Sequence, residues 1–245
     1  MRILGQRENR AFWLRMSNYI TPRLARESKA LEAGFTLRSF STEGEQLDVV
    51  RKRLQSKLNF AQMASVGQVH AADVALVRST GHVPAHDGLV TDQQDLLLTV
   101  IAADCALVLL ADSKVGVIGA CHAGWRGAVA GVVAKTIAVM GSLGANPKRT
   151  TAYIAPCIGL DRFEVGEEVA ARFDPRFVRP PAVSPRHHVD LRGAVCNQLV
   201  DAGVSLSNIE VSTACTYTEV DRFYSYRAEE GTRGRMIGFI GMRPH

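Results

Sequence analysis

No run of apolar residues in this 245-residue chain approaches the ~20 that a membrane-crossing helix needs. No helical span is therefore expected, and no membrane partner. Aromatic residues make up only 7% and the net charge is a modest +5. Nucleic-acid binding asks for a basic stripe interleaved with aromatics, and no such stripe is present, so no nucleic-acid partner is expected. The basic excess, densest at Arg51-Lys52-Arg53, reads as a solvated surface that favours the approach of anions. Phosphate-loop, dinucleotide-binding and serine-elbow motifs are all missing. So are internal repeats and low-complexity tracts. The five cysteines are odd in number and never spaced Cys-x-x-Cys, which argues for reduced thiols rather than a disulfide framework. The first 24 residues are rich in Arg and lack a continuous apolar core. A secretory signal is not expected there, and a cytoplasmic location follows as an expectation.

What is present centres on residues 104–127. Two apolar runs flank a turn at Asp112-Ser113-Lys114, the pattern of two buried strands in a hairpin. Cys105 stands at the start of this stretch and His122 at its end. At about 3.3 Å per residue the two arms match in length, so an antiparallel hairpin brings Cys105 and His122 to one end of a sheet. The following Ala123-Gly124-Trp125-Arg126-Gly127 reads as a close-packed turn. His70 closes another short apolar alternation, after Gln68.

The rest of the chain divides as follows. Residues 1–33 read as a poorly specified N-terminal extension and 34–245 as the domain that follows it. Strands are expected at 35–40, on both sides of His70 within 64–77, at 96–102 and at 151–156. A loop is expected at 81–88. Apolar positions 47, 50, 54 and 58 form a helical stripe. Further helices are expected at 127–140, 164–173 and, capped by Asp190, at 191–202. Strands at 209–213 and 236–241 are expected to pair around the loop 216–235. Strands and helices mix irregularly, so the fold class is α/β, a single layered mixed-sheet domain.

His70, Cys105 and His122 are separated by 35 and 17 residues. These are not zinc-finger spacings, but each residue sits at a strand end among other polar groups. Asp104, Gln68 and Arg126 are close in sequence, and polar groups gathered there need partners. Two chemistries use the same three residues. One is a three-ligand metal site with an open position. The other is a cysteine nucleophile, Cys105, activated by His70 or His122, as in a cysteine hydrolase. A metal that merely stabilises a non-enzymatic binding protein is a further alternative. Arg227 and Arg235, in the late loop, are candidates to meet an anion.

Gln68-Val69-His70, Ala103-Asp104-Cys105, His122-Ala123-Gly124-Trp125-Arg126-Gly127 and Ser225-Tyr226-Arg227 with Gly234-Arg235 together resemble the YfiH-like family. That family is also called multicopper polyphenol oxidase or laccase-domain proteins. The resemblance spans roughly residues 34–242. It implies a fold related to the catalytic domain of cytotoxic necrotizing factor toxins. It implies zinc held by His70, Cys105 and His122, with Cu2+ as the alternative metal. It implies an enzyme of purine nucleosides, with phosphorolysis of adenosine, inosine and methylthioadenosine and deamination of adenosine. The older alternative is copper-dependent oxidation of phenols. On this reading the partners are a small nucleoside and phosphate, and the protein is a monomer or homodimer. Cys105, His70, His122 and Asp104 are the candidate catalytic residues, with Asp104 as a proton carrier. Arg126, Arg227, Arg38 and Gln68 are the candidate substrate- and phosphate-binding residues.

Overall fold

Between residues 106 and 112 the chain alternates Ala106, Val108 and Leu110 with Leu107, Leu109 and Ala111, and every one of these is fully buried. A strand without a polar face must be covered on both sides. The computed structural model, which describes residues 18–181 and 186–244, shows how. Its early strands are β1 (Tyr19–Ile20), β2 (Leu31–Thr36), β3 (Gln62–Gly67), β4 (Val74–Leu76) and β5 (Gly81–Pro84). The centre adds β6 (Gly88–Thr91), β7 (Leu96–Ala102), β8 (Ala106–Asp112), β9 (Val117–Ala123) and β10 (Thr151–Ile154). Then come β11 (Glu164–Val165), β12 (Val178–Arg179), β13 (His187–Val189), β14 (Ile209–Val211) and β15 (Met236–Met242). The helices are α1 (Arg23–Arg26), α2 (Leu47–Leu58), α3 (Trp125–Val129), α4 (Val132–Ser142), α5 (Glu167–Ala170) and α6 (Leu191–Asp201).

Two six-stranded mixed sheets carry the fold, in the orders β1-β2-β15-β7-β3-β5 and β14-β10-β8-β9-β6-β4. They pack face to face. Leu96, Leu98 and Val100 of β7 meet Leu107 and Leu109 of β8 and Ile118 and Ala120 of β9. The outer face of the first sheet is covered by Val50, Leu54 and Leu58 of α2. The outer face of the second is covered by Val133, Ile137 and Met140 of α4 and Val195 and Leu199 of α6. The order of layers is helix, sheet, sheet, helices. The expected layered α/β class with mixed sheets is what is found.

The central hairpin is the expected one. β8 and β9 pair antiparallel with Leu107 opposite His122 and Asp112 opposite Val117. Helix α2 and strand β7 fall on the expected residues. α6 begins as expected, its Gly193 N–H donating to the Asp190 carboxylate at 2.9 Å.

Other expectations are corrected. The strand at 35–40 starts earlier, at Leu31, and ends at Thr36, after which Arg38–Phe40 turn as a 3-10 helix. Residues 81–84, read as loop, form edge strand β5, parallel to β3. The helix expected at 127–140 is two helices, broken at Gly131, whose φ of +79° suits glycine. Residues 164–173 hold a two-residue strand and the short α5 rather than one helix. β14 and β15 do not pair, because they belong to different sheets. The line drawn between residues 33 and 34 falls inside β2, and β1 pairs with β2 through Tyr19 and Thr36. Residues 1–17 of that segment lie outside the described residues.

Candidate functional site

The hairpin register places His122, on β9, beside the residues that enter β8. Cys105 stands one position before β8 and Asp104 just before it. His70 comes from the segment between β3 and β4. That segment is tied to the first sheet by Gln68, whose amide donates to the Ile101 carbonyl and accepts from the Ile101 N–H, both at 2.8 Å. The side chain so continues the β3–β7 ladder after the main chain has left it. His70 and Asp104 both have positive φ, +61° and +87°. Such backbone persists only where its surroundings hold it.

One ligand atom from each of His70, Cys105 and His122 can be chosen so that all lie within 4.8 Å of one another. The two imidazoles meet edge to face, 4.9 Å between ring centres. His122 is buried and His70 exposed. The packing depends on two glycines. A Cβ on Gly124 would lie 3.0 Å from His70 Cδ2 and 3.1 Å from Cys105 Sγ. A Cβ on Gly127 would lie 2.8 Å from the Ala71 carbonyl oxygen, so its absence lets α3 close on the His70 segment. The turn expected at 123–127 is the end of β9 and the first turn of that helix.

Sequence reasoning missed Asp87. It is fully buried and accepts from His122 Nδ1 at 2.8 Å. That bond leaves Nε2 as the free ligand atom of His122. Asp87 stood in a stretch read as loop, and its contacts are all long-range. The only sequence signal was an acid next to Gly88 between two apolar runs.

The electrostatics follow from this packing. Burial pushes the Cys105 thiol up, but hydrogen bonding from His122 and His70 outweighs it and brings the thiol down to about 6. By contrast, burial pushes Cys121 up to about 12 and Cys157 up to about 11. Burial lowers His122, yet Asp87 and Cys105 more than compensate and raise it to about 9. A low-lying thiol between two imidazoles has the chemistry to serve as a metal ligand or as a nucleophile.

The cluster opens into a cavity of about 560 Å3, within the range of small-molecule sites. Trp125, Ile158, Phe163 and Leu191 give it apolar lining, while Gln68, Tyr226, Arg227 and Arg235 give it polar lining. The Arg227 guanidinium lies over Phe163 at 5.9 Å and donates to the Glu164 carbonyl at 3.0 Å. Arg235 donates to the Thr232 and Gly234 carbonyls, each at 2.7 Å. Two expected anion-binding residues are not brought to the cavity. Arg38 pairs with Glu229 at 2.6 Å and stacks on Tyr224 at 4.5 Å. Arg126 is exposed and lies over its neighbour Trp125 at 4.2 Å. Asp104 lines the cavity, but its carboxylate is engaged. One oxygen accepts from Thr216 Oγ1 at 2.6 Å and the other from the Arg227 N–H at 2.7 Å.

Comparison with known proteins gives consistent results. The family model described as multi-copper polyphenol oxidoreductase laccase matches residues 28–243. A purine nucleoside phosphorylase of Deinococcus radiodurans is 38% identical over 233 residues, 94% of this chain and 90% of its own. An adenosine deaminase, RL5, from an unknown prokaryotic organism is 38% identical over 148 residues, 58% of this chain and 56% of its own. The crystal structure of YlmD from Geobacillus stearothermophilus superimposes with a TM-score of 0.83 at 29% identity, covering 94% of this chain and 97% of that one. The chain belongs to the YfiH-like, multi-copper polyphenol oxidoreductase laccase family.

Proposed function

We propose that this protein is a zinc-dependent enzyme of purine nucleosides, acting by phosphorolysis of adenosine, inosine or methylthioadenosine and by deamination of adenosine. The observation that carries the reading is the His70–Cys105–His122 cluster opening into a cavity lined by aromatic rings and two arginines. The names of the similar proteins support the substrate class.

The donor set fits zinc. Two imidazoles and a thiolate, with one imidazole backed by a carboxylate, match a catalytic zinc site that keeps a position open. When bound, zinc supplies Lewis acidity and makes water a better nucleophile at neutral pH. Copper also accepts these donors. Multi-copper chemistry needs several sites, however, and one such three-donor cluster is found among the described residues.

The chain's own residues supply the rest. Trp125 and Phe163 offer faces for a purine ring. Arg227 and Arg235 attract the phosphate that attacks the anomeric carbon in phosphorolysis, as the bond to the base breaks. Asp104 holds the Arg227 main chain in place instead of carrying a proton.

The lowered Cys105 thiol favours one second reading, a cysteine hydrolase. Stoichiometric alkylation of Cys105 in metal-stripped protein, with amide cleavage and no nucleoside turnover, marks that alternative. The direct test of the first reading is chromatography of products from adenosine, with and without phosphate. Adenine formed only with phosphate reports phosphorolysis, and inosine reports deamination. Neither product, from protein carrying one zinc per chain, contradicts the reading.

A further inference from the structure

Of all the groups around the cluster, Asp87 binds the most of it. Its carboxylate accepts from the Val69 N–H at 3.1 Å, the His70 N–H at 3.1 Å and the Ala71 N–H at 2.8 Å. It also accepts from His122 Nδ1 at 2.8 Å. Its main chain joins in: the carbonyl accepts from the His122 N–H at 2.7 Å, and its own N–H donates to the Asp73 carbonyl at 2.9 Å. Three successive N–H groups converging on one anion form a nest. Here the anion is a side chain of the protein, with no exposed surface. The middle residue of the nest is His70, with its φ of +61°.

We propose that Asp87 is the positioning residue that builds the cluster, holding the His70 backbone and the His122 ring at once, so that the site is assembled before a metal enters it. This rests on reading the cluster as a metal site. The chemistry singles out a carboxylate. Both oxygens accept, and each takes two donors, so an amide at this position presents N–H groups to a donor on one side. The nest and the imidazole cannot both be satisfied by Asn. His70 and His122 come from different parts of the chain, and Asp87 is bonded to both.

The test uses the full chain, as wild type, Asp87→Asn and Asp87→Ala, labelled with 15N. Three quantities are read: the protonation of His122 Nδ1 by imidazole 15N correlation, amide exchange at residues 69–71, and zinc affinity by competition with a chromophoric chelator. Metal-stripped wild type is expected to keep the proton on His122 Nδ1 and slow exchange at 69–71. Asp87→Asn is expected to lose that Nδ1 signature and to exchange at least about tenfold faster at 69–71 when the nest is broken. The hairpin amides of residues 107–110 should stay protected, which a general loss of structure would not allow. Zinc affinity is expected to fall by about 10–100-fold. Wild-type affinity and exchange in Asp87→Asn overturn the proposal. So does loss of protection at 69–71 in metal-stripped wild type, since the metal would then be holding the segment. This second measurement needs no variant and decides the matter even if the substitutions prevent folding. A wild type that binds no zinc, yet keeps the Nδ1 proton and protection at 69–71, overturns the metal reading and leaves the positioning role supported.

Discussion

Asp104 accepts a hydrogen bond at 2.7 Å from the main-chain N–H of Arg227, a residue 123 positions later in the chain. The residue just before the thiol thus anchors the late loop that carries three of the cavity's polar groups, Tyr226, Arg227 and Arg235. Asp104→Ala removes both acceptors and leaves that N–H and the Thr216 hydroxyl without their partner. The expected cost is about 1–3 kcal/mol of stability, measured by urea denaturation. Misplacing Arg227 is also expected to raise KM for phosphate more than it lowers kcat. A selective fall in kcat with KM unchanged would instead support a proton-carrying role for Asp104.

Cys105→Ala and His70→Ala each remove one of three donors while leaving the hairpin pairing intact. Zinc content is expected to fall from one per chain to near zero. Turnover is expected to drop at least about 100-fold on loss of the metal, with the far-ultraviolet circular dichroism unchanged. Full turnover in either purified variant contradicts the assignment.

Gly124→Ala tests packing without touching a donor. Its Cβ would press on His70 Cδ2 at 3.0 Å and on Cys105 Sγ at 3.1 Å. Displacements of a few tenths of an ångström are needed to admit it. The expected result is zinc affinity lower by about tenfold, as for other changes that disturb ligand orientation, read by chelator competition. Affinity equal to wild type would mean that the ligands have slack.

Away from the site, Asp112 closes the central hairpin. Burial opposes its charge, but the Asn146 N–H, the Arg149 guanidinium and the Lys114 N–H outweigh this and hold the carboxyl below its ordinary 3.8. A carboxyl depressed in the folded state stabilises above its unfolded pKa, and that stability is lost as pH falls through the folded value. Asp112→Asn is therefore expected to cost about 1–3 kcal/mol at pH 7. The difference from wild type should shrink below about pH 4, where wild-type Asp112 loses its own advantage as it takes up a proton. Parallel denaturation curves at pH 7 and pH 3 check this. A difference that does not change with pH would assign the effect to packing.

Much of this was legible in the sequence where local pattern and final environment agree. Helix α2 shows its buried stripe at Val50, Leu54 and Leu58, and β7 is apolar at every position but Thr99 because both of its faces are covered. The matched arms of the hairpin brought Cys105 and His122 together, as the pairing of Leu107 with His122 bears out. Elements defined by partners elsewhere in the chain were not legible. His82 and Pro84 look like loop residues, and only pairing with β3 at a sheet edge, where a proline is tolerated, makes them strand. β14 and β15 both read locally as strands, but nothing local says that they join different sheets. Arg38 and Arg126 carry the right charge, yet Arg38 is paired with Glu229 and Arg126 stays exposed beside Trp125, outside the cavity lining. Asp87 was hidden for the same reason, since its donors lie 16 to 35 residues distant.

The most direct test of the account is to strip the metal, return zinc in measured steps, and record bound zinc and turnover of adenosine with phosphate on the same samples. The account predicts product formation that rises in proportion to bound zinc and levels off at one equivalent per chain. Turnover that is undiminished in stripped protein, or absent at full zinc occupancy, would contradict it.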